Sequence, residues 1–324
     1  MHHGNTIMLG PKDFLLGGIA PMLVALAAFS LAWFFSRRAS VAWSAGVLAG
    51  YFGGTIAVEA GGVGVVAALK QMGAPHDAHQ WTWMIGVAAM TPAIAAALLG
   101  ERRQWRWLLS VALAVVAPLW LMWGGKYLPS AEIRATGFAK EAWGVGEAVA
   151  VIGVVAFAIL LAWRLWEAND PTDQPRTRGL LAAIVLSCTA AVAGMSGSFV
   201  YAQAIGVLAA SVGGCFVAGW LWRVKAGPEA AAGPIILLAG SLLLLATHYS
   251  QLQPWHAAGL WASITLSAAY LPNRIGLNAR GRIALRCSVC LIPLALVFGH
   301  AAYKFVESQR QQQKEADANP YMSM

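Results

Sequence analysis

The sequence predicts an all-α, polytopic transmembrane bundle of about ten spans, with both termini on the outer, non-cytoplasmic side. Three observations carry that expectation. Of the 324 residues, 59% are hydrophobic and only 11% are charged, against about 25% charged in soluble domains. Apolar runs recur along the chain, each long enough to cross a hydrocarbon core of roughly 30 Å as a helix. The basic residues cluster in alternate connections between those runs, as the positive-inside rule requires of cytoplasmic loops. Three segments follow: a tail over 1–13, one membrane domain over 14–305 and a Gln-rich, charged tail over 306–324, expected to be disordered.

The spans fall in order. Span 1 covers Phe14 to Phe35 and is followed by Arg37 and Arg38. It lacks an Ala-x-Ala-like cleavage site and reads as a retained span. Span 2 runs from Val41 to Ala60, and Gly46, Gly50, Gly53 and Gly54 give it a small-residue face suited to close helix contact. Val63 to Lys70 reads either as a short extra helix or as the frayed end of span 2. Span 3 covers Trp81 to Leu99 and span 4 covers Trp107 to Trp123, with Pro92 and Pro118 inside them. Span 5 covers Ala142 to Trp166. Leu180 to Trp222 holds 43 residues without a charge, too many for one span, so it reads as a hairpin turning within Met195 to Gln203. Ser-Gly-Ser at 196–198 is its best turn signal. Spans 8, 9 and 10 cover Ala230 to Thr247, Pro254 to Leu271 and Ile283 to Phe305.

Alternate loops then hold 13 and four Lys/Arg, the heavier set following the odd-numbered spans. This places both termini outside. Tryptophans near both span boundaries read as aromatic belts. The net charge of +8 comes in twos and threes between apolar runs, a topology signal and not a nucleic-acid footprint. The partner is the lipid bilayer, in a cytoplasmic-type (inner) membrane, together with a small solute or ion.

On this topology every histidine falls on or near the outer side: His2, His3, His76, His79, His248, His256 and His300. Glu59 and Glu147 lie in the outer thirds of spans 2 and 5. Carboxylates inside spans are costly and mark ion or proton pathways. Histidine ligates metals or haem and exchanges protons near neutral pH. His76 and His79 are spaced to share one helix face, and His248 and His256 bracket a short connection. The competing reading is plain: histidine suits an interface, and Asp77 fits a solvated turn. Cys287 and Cys290 form an intramembrane CxxC read as apolar filler, with Arg286 beside it snorkelling to the inner surface.

The chain has no HExxH, GxSxG, phosphate-loop or CxxCH motif and no arginine row. The segment HDAHQWTW (76–83) resembles the tryptophan-rich outer segments of haem-handling membrane proteins, and no residue role carries over from so short a stretch. Three function classes follow. The leading one is a small-solute permease or exporter using Glu59 and Glu147. The second is an outer-face haem, metal or redox protein using His76, His79, His248, His256 and His300, with haem or a transition metal as cofactor. The third is an assembly subunit without chemistry.

Overall fold

A computed structural model describes residues 15–73, 78–91, 103–129, 131, 135, 141–168, 174–269 and 278–318. Eleven α-helices occur among them: α1 (Ala20–Ser36, entered through a π-helical turn Leu15–Ile19), α2 (Ala39–Val63), α3 (Val65–Gly73), α4 (Thr82–Ala88), α5 (Arg103–Met122), α6 (Val145–Glu167), α7 (Pro175–Met195), α8 (Phe199–Leu221), α9 (Ala232–Tyr249), α10 (Pro254–Ala268) and α11 (Ala279–Ala318). No β-strand occurs among the described residues; one isolated bridge joins Trp123 and Leu128.

Seven helical segments are long and apolar enough to cross a membrane: Leu15–Ser36, Ala39–Val63, Val145–Glu167, Pro175–Met195, Phe199–Leu221, Pro228–Tyr249 and Arg280–Lys314. Trp107–Met122 is apolar but shorter. The 15-residue α10 rises about 22 Å at 1.5 Å per residue, less than a full hydrocarbon core. Of the expected span 3, residues 92–99 lie outside the described residues.

The hub is α9. Every residue from Ala232 to Ala246 is buried, as befits a helix that is apolar all round. It packs on α4, α5, α6, α8 and α10. Around it, glycines set the closest approaches. A Cβ on Gly50 would stand 2.7 Å from Ala25 Cβ and 2.9 Å from the Pro21 carbonyl oxygen, and one on Gly54 would stand 2.6 Å from both Pro21 Cβ and Val207 Cγ1. The small-residue face read in span 2 therefore seats α2 against α1 and α8.

Local signals explain the breaks. Gly64, at φ 86°, separates α2 from α3, so residues 65–73 form a helix of their own. The α7–α8 hairpin turns at Ser196–Ser198. Gly197 sits at φ 79°, its N–H bonds to the Gly194 carbonyl, and the Ser198 N–H bonds to the Ala193 carbonyl, a Schellman ending. With its turn there, α7 still has 21 residues, because it begins at Pro175, five residues before the apolar run. Proline at a first helical position favours such a start.

Three expectations are corrected. The tail expected to be disordered from 306 is helical through Ala318; Gln, Lys, Glu and Ala are good helix formers, and the helix is already nucleated by the span before it. Arg286 does not snorkel but is 1% exposed, because α11 packs against both α7 and α10. Trp105, Trp107, Trp120, Trp123, Trp220, Trp222 and Trp255 are exposed, as belt residues need to be, but Trp43, Trp143, Trp163 and Trp166 are buried and pack inside the bundle. Three of these carry a specific bond from the indole N–H: Trp43 to the Ala226 carbonyl at 3.2 Å, Trp163 to Glu167 at 2.9 Å and Trp166 to the Thr265 carbonyl at 2.9 Å.

Candidate functional site

Packing sorts the connections between two ends of the bundle. At one end, Gly197 faces the Gln251 side chain, Trp81 meets Trp120 with ring centroids 5.6 Å apart, and Tyr127 meets His248 at 5.4 Å. At the other end, Arg178 Nη2 pairs with Glu229 Oε1 at 3.1 Å, with side chains 0% and 8% exposed. Glu229 Oε1 also accepts the Gly227 N–H at 2.7 Å. His248, His256, His300, Glu59 and Glu147 all belong to the first end.

The first end brings two histidines into direct contact. His256 sits in the first turn of α10, fixed by Pro254 at the helix start. His300 comes from α11. His256 Nε2 lies 3.0 Å from His300 Nδ1, with ring centroids 5.2 Å apart. His256 is 3% exposed, and its Nδ1 is buried with no hydrogen-bond partner. Trp255 packs over both rings, at 4.1 Å from His256 and 4.8 Å from His300 between centroids. Its indole N–H donates to Gln253 Oε1 at 2.7 Å, which pins the ring. One turn further along, Gly259 faces Val297: a Cβ there would meet Val297 Cγ2 at 2.5 Å. That contact holds α10 and α11 close enough for the two imidazoles to touch.

His248 does not join this pair. Its Nδ1–H donates to the Leu244 carbonyl at 3.0 Å, and its ring abuts Trp143 at 5.2 Å and Tyr127 at 5.4 Å. Tyr127 stacks on Trp143 at 4.9 Å. Lys126, over the Tyr127 ring, pairs with Glu141 at 2.9 Å; that hydrogen bond, helped by Tyr127, holds the Lys126 ammonium above the ordinary lysine value. His248 is thus part of an aromatic cluster that ties the loop after α5 to the end of α9.

The carboxylates are apart as well. Glu59 is half-buried near the end of α2. Glu147 is exposed in the first turn of α6, where a negative charge suits the helix dipole. Among the described residues their helices share no extensive contact. His2, His3 and His76 lie outside the described residues, and of His79 only the backbone is described, in the turn Ala78–Trp81. Among the described residues no three His, Cys, Asp or Glu side chains converge.

Sequence reasoning missed two features. The buried Arg178–Glu229 pair had a weak signal: Arg178 and Glu229 each follow a proline that starts a helical turn. The contact between His256 and His300 spans 44 positions and had none. No family model matches this chain, and no curated protein or solved structure matches it either.

Proposed function

We propose that this integral membrane protein binds a transition-metal cation at one face of its bundle, with His256 and His300 as the protein ligands. The observation that carries the reading is the 3.0 Å approach of His256 Nε2 to His300 Nδ1, on a ring withdrawn from solvent. Imidazole nitrogen suits Zn, Cu, Fe and Ni, and ionisable groups inside a membrane bundle mark functional sites by default. A bare cation fits better than a haem. Axial imidazoles on one iron lie on opposite faces of a porphyrin, and two rings in hydrogen-bond contact leave no width for that plane.

The positive-inside bias puts the histidine end outside, in a cytoplasmic-type membrane. A second reading, a cation or small-solute permease, is favoured by half-buried Glu59 at the same end. It assigns Glu59 to attracting the cation and leaves Glu147 at the rim. The test is equilibrium dialysis of the detergent-purified chain against Co(II), Ni(II), Zn(II) and Cu(I), read by elemental analysis. One equivalent lost in both His256→Ala and His300→Ala supports the reading; no binding of any cation, or binding indifferent to both changes, refutes it.

A further inference from the structure

We infer that the His256–His300 pair is a two-coordinate site for a soft monovalent d10 cation, Cu(I), with the Trp255 indole as its lid. The inference rests on the cation reading above and names the cation. Three observations point to it. First, the donor number is two. Among the described residues no third His, Cys, Asp or Glu joins the pair. Structural zinc takes four protein ligands and catalytic zinc three, whereas Cu(I) and Ag(I) accept two nitrogen donors in line.

Second, the spacing is near what such a cation needs. Metal–imidazole distances are about 2 Å, so a linear N–metal–N unit spans about 4 Å. The nitrogens stand 3.0 Å apart, and an opening of roughly 1 Å admits the ion. His300 is the ring that yields, because it is half-buried while His256 is enclosed. Bonded to each other, the two imidazoles hold one hydrogen between the rings. On binding, that hydrogen shifts to the other nitrogen of its own ring. The two imidazoles stay neutral, the cation takes the vacated lone pairs, and no proton leaves the pair.

Third, Trp255 lies within 4.1 and 4.8 Å of the two rings, centroid to centroid. An indole is the best aromatic partner for a cation, and this one is half in solvent, at 47% exposure. It covers the pair on the open side without offering a hard oxygen ligand.

The competing soft donors are the thiols Cys188, Cys215, Cys287 and Cys290, the last two on the other half of α11. Cys290 is buried, its thiol directed to the Cys287 carbonyl at 3.5 Å. The experiment therefore uses the full chain carrying Cys188→Ala, Cys215→Ala, Cys287→Ser, Cys290→Ser, His2→Ala and His3→Ala, purified in detergent. It is titrated with Ag(I) in chloride-free buffer, and in parallel with Zn(II), with bound metal counted after gel filtration. The expected result is one Ag(I) per chain, lost in His256→Ala and in the milder His300→Asn, with affinity lowered several-fold in Trp255→Phe. Zn(II) bound at these histidines with Ag(I) excluded overturns the monovalent assignment and leaves the cation site standing. Neither metal bound overturns both, and Ag(I) retained in both histidine variants overturns this site.

Discussion

The Tyr127 hydroxyl donates to the His248 backbone carbonyl at 2.6 Å. The bond matters because His248 lies at the end of α9, where carbonyls have no partner within the helix. Tyr127→Phe removes the bond alone and is expected to cost about 1 kcal/mol. Tyr127→Ala also removes the stack on Trp143 and costs more. Thermal unfolding of the detergent-solubilised variants measures both; equal melting temperatures for wild type and Tyr127→Ala would mean that the loop is not tied here.

The α1–α2–α8 seam depends on glycine. Gly50→Ala places a methyl group 2.9 Å from the Pro21 carbonyl oxygen, which belongs to backbone and cannot turn away. Overpacking of this kind costs about 1–3 kcal/mol. Gly62→Ala meets no atom within 4 Å and serves as the control. The same unfolding assay is expected to rank Gly50→Ala below Gly62→Ala, and a reversed order would argue against the packing described.

Arg178 and Glu229 form a buried pair, and removing one partner strands the other. Breaking such a pair costs about 3–5 kcal/mol, whereas replacing both members by apolar residues is often close to neutral. Arg178→Met alone is thus expected to be less stable than Arg178→Met with Glu229→Leu. A double variant as unstable as the single one, compared by denaturation midpoint, would show that the two charges are not coupled.

The orientation has its own test. In a background without the four cysteines, Gln251→Cys stands at the histidine end and is exposed, whereas Arg223→Cys is exposed at the other. Membrane-impermeant maleimide added to intact cells is expected to label position 251 and spare 223. The opposite pattern would invert the topology and move the histidine end to the cytoplasm.

Much of the fold was legible because lipid and core ask for the same residues. The apolar runs of α1, α2, α6, α8 and α9 declared themselves, and Gly197 marked its turn because that position needs a left-handed backbone. The start of α7 was hidden, since Pro-Arg-Thr-Arg reads as a loop until Arg178 is seen to find Glu229. The histidine asymmetry was visible once the loops were assigned, but not its partners. His256 and His248 bracket one short connection in the sequence, yet His256 meets His300 on another helix. The packing of α10 on α11, close at Gly259 and Val297, sets that meeting, and nothing in local sequence announces it. Glu59 and Glu147 stand out in the sequence for their burial cost, and the structure finds Glu59 half-buried and Glu147 exposed in the first turn of α6.

The spacing of α10 and α11 is the lever on the site. Gly259→Leu drives a side chain into Val297 and separates the helices without touching either histidine. It is expected to abolish cation binding in the dialysis assay while leaving the protein monodisperse. Full binding in that variant would show that close helix contact is not what assembles the pair.

X-ray absorption at the copper edge of the Cu(I)-loaded full chain reads whether a cation lies between His256 and His300. The expected spectrum has a first shell of two nitrogens with the outer-shell pattern of imidazole rings, lost in His256→Ala. A first shell containing sulfur, from Cys287 and Cys290, or a shell unchanged by His256→Ala, would contradict it.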